Sequence, residues 1–119
     1  MSVIIKNINE IEAKKTEAHG EALYKILFDQ NTLKAMTGFW QTIVNPNITL
    51  PPHSHEDEEQ IYFILEGNGI IMVGEERKRV RKGDAIYLPA GISHGFINDS
   101  DKPCLILAVG AKVHTQKET

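Results

Sequence analysis

From residue 38 onward, turn-forming residues recur every 8–12 positions, and that spacing leaves no room for helices of ordinary length. Asn45-Pro46-Asn47, Glu66-Gly67-Asn68-Gly69, Gly74-Glu75-Glu76 and Pro89-Ala90-Gly91 supply the interruptions. Between them lie short runs rich in β-branched and aromatic residues, at 39–44, 60–65, 70–73, 77–81, 85–88, 94–98 and 105–109. The pattern predicts an all-β fold, an antiparallel sandwich or β-barrel. Several runs are apolar on both faces, which suits a closed or a two-sheet barrel.

Residues 1–35 read differently, as an amino-terminal extension ahead of a barrel over 36–119 with a short carboxy-terminal tail. Residues 3–5 predict a strand; 22–28 fits strand or helix and is read as a strand because Asp29-Gln30-Asn31 stops it quickly, while 9–15 is too short for an independent helix. At 119 residues the chain fits one domain, large enough to bury a core without staples. The net charge of −3 argues against nucleic-acid and anionic-membrane partners. Cys104 is the single cysteine, so no internal disulfide forms, and a reducing cytoplasmic compartment is expected. The first apolar run is too short for a secretory signal, and no stretch reaches the ~18 apolar residues that span a bilayer.

Chemistry concentrates in two places. His53 and His55 are two apart, so on a strand both imidazoles leave one face with Cα atoms about 7 Å apart, close enough to converge on one cation. Pro51-Pro52 stiffens the approach. Further on, Gly83-Asp84 and Pro89-Ala90-Gly91 make tight turns around a short strand. His94 then begins a strand that can carry a third imidazole inward, and Asn98 shares its parity and is expected to hydrogen-bond in the same region.

These residues resemble the cupin superfamily, whose two motifs read G-x5-H-x-H-x3,4-E-x6-G and G-x5-P-x-G-x2-H-x3-N. Gly83, Pro89, Gly91, His94 and Asn98 match the second in full. His53, His55 and Gly67 match the first, with two departures. Asn47 replaces the first glycine, and Asn tolerates the left-handed conformation. Gln60 replaces the glutamate, seven positions before Gly67. The resemblance covers residues 38–110, with 15 residues between the motifs. It implies a cupin double-stranded β-helix, jelly-roll-like, with His53, His55, Gln60 and His94 holding one divalent transition metal per chain: Mn, Fe, Co, Ni or Zn. The shorter spacing would select Glu59, which falls one residue out of step with Gly67 and on the opposite strand face from Gln60. Three imidazoles and an amide oxygen leave the metal its full charge and two open positions, suited to a bidentate carboxylate, diketone or enediolate.

The implied function is a metalloenzyme acting on a small oxygen-rich molecule, of the dioxygenase, isomerase, lyase or decarboxylase kind; the alternative is a non-catalytic binding or sensor module using the same cavity. Tyr62 shares parity with Gln60 and is the candidate catalytic hydroxyl, against a plainer role as a cavity wall. One of Phe39 and Trp40 must face inward. Residues 56–59, all acidic, read as a solvated loop that holds a cation nearby. The basic run 77–82 reads as a charge-protected edge strand. His19 and His114 read as surface residues, and Cys104 as a buried inert thiol. In this family, apolar amino-terminal strands often pair across a dimer, and the resemblance therefore implies a homodimer.

Overall fold

The computed structural model describes residues 3–16 and 19–114. One 3-10 turn, Ile8–Glu10, precedes the strands β1 (Lys14–Lys15), β2 (Leu23–Phe28), β3 (Met36–Val44), β4 (Thr49–His53) and β5 (Glu58–Glu66). Then come β6 (Asn68–Val73), β7 (Glu76–Arg81), β8 (Ala85–Leu88), β9 (His94–Ile97) and β10 (Cys104–Lys112). The ladders are antiparallel and form two sheets, in the orders β1-β2-β3-β10-β5-β8 and β4-β9-β6-β7. Among the described residues the sheets do not join edge to edge. The chain is a two-sheet double-stranded β-helix, the second of the two barrel forms the sequence allowed.

The core follows from strand alternation. Val44, Ile64 and Ile106 from the larger sheet meet Leu50, Ile71 and Phe96 from the smaller one. Each such side chain contributes about 1.5–3 kcal/mol when fully buried. Toward the other end of the larger sheet, Gly110 of β10 stands opposite Gly38 of β3 and Gln60 of β5. The two glycines in register make room for side chains, the Trp40 ring over Gly38 and the Glu58–Thr37 pair over Gly110, and the cavity described below opens beside them.

The extension splits in behaviour. Residues 22–28 form β2, which pairs with β3 of the same chain. Residues 3–5, expected as a strand, are exposed and unpaired, because Lys14–Lys15 takes the edge of β2 instead. The outermost residues of the extension and tail, 1–2 and 115–119, lie outside the described residues. The basic strand β7 is an edge strand, with only Val80 buried.

Asn98 does not join the site. Fully buried, it donates from Nδ2 to the carbonyls of Val44 and Lys102 at 2.8 and 2.7 Å, and its Oδ1 accepts from the backbone and hydroxyl of Ser100. Its amide satisfies the chain ends that converge on a turn, so it is a structural staple.

Candidate metal centre

The smaller sheet's register builds the site. His53 ends β4 directly opposite His94, the first residue of β9, and antiparallel partners project to the same face. Pro51 and Pro52 lie where the β4–β9 register shifts, on an edge strand, and there two missing N–H donors cost no ladder bonds. The turn before β4 is set by Asn47, the one described non-glycine residue at positive φ, 62°. Its N–H donates to the Asn98 carbonyl at 2.8 Å.

His55 lies beyond the end of β4, in the loop, and not on the strand with His53. Its carbonyl accepts from the Gly91 N–H at 2.8 Å, so a backbone bond ties the first histidine segment to the Pro89–Gly91 turn. The result is convergent: ligating atoms of His53, His55 and His94 all lie within 4.8 Å of one another. Nitrogens bound to one metal at about 2.0–2.1 Å can be no farther apart than roughly 4.2 Å, so small rotations complete the set.

The protonation chemistry suits a cation. His53 Nδ1 faces the Pro51 carbonyl at 3.0 Å and must donate there, which leaves Nε2 with a free lone pair. Burial lowers its pKa, with His55 adding to the effect. His94 is only 2% exposed. Burial and then the neighbouring imidazoles of His53 and His55 lower its pKa to about 4. Both of its ring nitrogens are buried without a partner, the Ile92 backbone lying near but outside hydrogen-bond geometry.

Gln60, from β5, lines a cavity together with His53 and His55. Its Nε2 donates to Glu58 Oε2 at 2.9 Å, which leaves Oε1 buried and unpartnered. Glu59 turns to the other face, where it accepts from the Tyr87 hydroxyl at 2.6 Å. Glu58 was expected in a solvated acidic loop; instead β5 begins there and the side chain turns into the cavity, accepting also from the Thr37 hydroxyl at 2.9 Å. Tyr62 is buried edge-on to His94, ring centroids 5.8 Å apart, and burial followed by the Glu58 charge raises its pKa. Among the described residues no carboxylate joins the three-histidine cluster.

His19 is a further correction. Expected at the surface, it stands edge-on to His53 with centroids 4.6 Å apart and against Tyr24 at 4.7 Å, and it lines the cavity. Burial, then the charges of His53 and His55, lowers its pKa to about 4. Of Phe39 and Trp40, Trp40 is the one facing inward. His114 is exposed. Cys104 is fully buried, its thiol pushed up to about 11 by burial alone.

The Cupin domain family model matches residues 40–110. A protein of unknown role from Methanocaldococcus jannaschii is 36% identical over 67 residues, covering 56% of this chain and 54% of that one. An acireductone dioxygenase from Tuber melanosporum is 48% identical over 54 residues, 41% of this chain and 31% of the enzyme. The chain thus spans about half or less of these relatives. Among solved structures, a Thermotoga maritima protein described as a predicted oxalate decarboxylase superposes with a TM-score of 0.86 at 23% identity, covering 92% of this chain and 100% of that one.

Proposed function

This chain belongs to the cupin family, and from that premise we propose that it is a metalloenzyme holding one divalent transition metal through His53, His55, His94 and Gln60. The observation that carries the reading is the set of orphaned buried acceptors. One His94 ring nitrogen, the one that carries no proton, and Gln60 Oε1 are desolvated acceptors without a partner, a cost of roughly 1–3 kcal/mol each that a shared cation would remove.

When bound there, the metal supplies Lewis acidity and open positions for a small organic ligand with adjacent oxygen donors. The chain's own residues do the rest. Glu58 holds the Gln60 amide so that its oxygen stays free. Tyr62 stays protonated at neutral pH, as its raised pKa requires, and can donate to a ligand oxygen or act as a general acid. His94 stays neutral for the same purpose of ligation. The reaction class is that of a dioxygenase, isomerase, lyase or decarboxylase, carried out in the cytoplasm by a homodimer.

Elemental analysis of protein purified without an affinity tag should find close to one divalent metal per chain. His53→Ala and His94→Ala should each lose it. Full occupancy in both variants would overturn the ligand assignment.

A further inference from the structure

The cavity that adjoins the histidines has a volume of about 260 Å³, well above the ~150 Å³ that encloses a benzene ring. Its wall is aromatic. Tyr24 and Phe28 from β2, Trp40 from β3 and Tyr62 from β5 line it, with Ile26 at the mouth, 54% exposed. In the β2–β3 ladder, Tyr24 pairs with Thr42 and Ile26 with Trp40, so these side chains share the inward face.

The wall is also fixed in place. Trp40 Nε1 donates to Thr42 Oγ1 at 3.2 Å, and its ring lies over Gly38, where a Cβ would meet it at 3.2 Å. Tyr24 is 7% exposed, and its hydroxyl, beside Thr42, makes no hydrogen bond of ordinary geometry.

Charge sets the second constraint. Among the described residues no Lys or Arg lines this cavity, and its two acidic lining groups are Asp29 and Glu58. A molecule whose oxygen donors occupy the histidine end must run its body along the aromatic wall. A second carboxylate on that body would meet aromatic rings and like charge, and the Lys6 ammonium beside the wall is already engaged over the Phe28 ring, 5.3 Å from its centroid.

We propose that the ligand is ring-bodied: adjacent oxygen donors at one end, a flat apolar body of one ring or a small fused system, and no charge on that body. This rests on the metal reading above for the donor end and on the wall alone for the body. It separates this cavity from one shaped for small dicarboxylates.

The test is a calorimetric titration of the metal-loaded protein with three probes that share one chelating head. They are catechol, 2,3-dihydroxynaphthalene and 3,4-dihydroxybenzoate, with metal content checked after each titration. The second ring should tighten binding at least tenfold over catechol, and the added carboxylate should weaken it several-fold. Ile26→Arg, at an exposed position that the fold tolerates, should narrow the first gap and reverse the second. Dihydroxybenzoate binding as tightly as dihydroxynaphthalene would overturn the proposal, as would an Ile26→Arg protein with the same ranking. The metal reading is separated by His53→Ala: an unchanged ranking in that metal-free variant supports the wall and removes the metal from the account.

Discussion

Gly110 has no side chain, and the space this leaves is where Glu58 meets Thr37. A Cβ built at Gly110 would fall on both the Glu58 carboxylate and the Thr37 hydroxyl. Gly110→Ala should therefore expel the carboxylate and cost about 1–3 kcal/mol in a denaturant titration, the usual range for overpacking. Metal content should separate the two residues that compete for the fourth ligand position. Gln60→Ala should lower occupancy, while Glu59→Gln should leave it unchanged, because Glu59 serves Tyr87 on the opposite face. If only Glu59→Gln removes the metal, the assignment of Gln60 fails. Counting back from Gly67 was enough to set Gln60 and Glu59 on opposite faces in the sequence. The same parity would have turned Glu58 inward, but the acidic run looked like loop, and nothing in composition marks the residue at which β5 starts. His19 carried no signal at all, since its place depends on packing against His53 and Tyr24, which follow it in the chain.

At the level of elements, the legible parts were those with strong local punctuation. β8 runs over residues 85–88 as read from its flanking turns, and β2 ends at Phe28 just before Asp29-Gln30-Asn31. Residues 3–5 misled because three apolar residues say nothing about whether a sheet edge is free to receive them. The turn before β4 was legible through chemistry, since Asn47 does adopt the left-handed conformation its amide tolerates. Asn47→Gly should be nearly neutral in thermal unfolding, whereas Asn47→Val should cost about 1–2 kcal/mol, the penalty of that conformation for a β-branched residue with no polar group to offset it. The β4 turn positions His53, so the valine variant should also weaken metal retention. Equal stability of the two variants would show that the turn does not depend on its backbone conformation.

At the scale of the molecule, the outer face of the six-stranded sheet remains to be accounted for. Ile61 pairs with Tyr87 across β5 and β8, and Phe63 lies two residues along the same face, all three exposed. Aromatic and aliphatic side chains grouped on an open sheet face fit the proposed homodimer better than a solvated surface. Sedimentation velocity should give a dimer at micromolar concentration, and Phe63→Glu should shift it to monomer without loss of metal. A wild-type monomer would defeat the assembly proposal and leave the site untouched. β2 completes its own chain's sheet, so the extension contributes to the fold whatever the state of assembly.

Among the described residues β4 pairs in one ladder only, with β9, and that ladder slips register at the two prolines before closing at His53 and His94. A metal ion shared by those two rings would act as a clasp on the loose end of a zip. Entry and release of the ion would then require only that the end of this edge strand beyond Leu50 fray, while Leu50 and Phe96 stay in the core. The rate of metal exchange should accordingly follow local opening of residues 51–55 and be far faster than global unfolding. Amide exchange and protease nicking in that short segment would report loading long before the spectroscopic signature of the sheets changed.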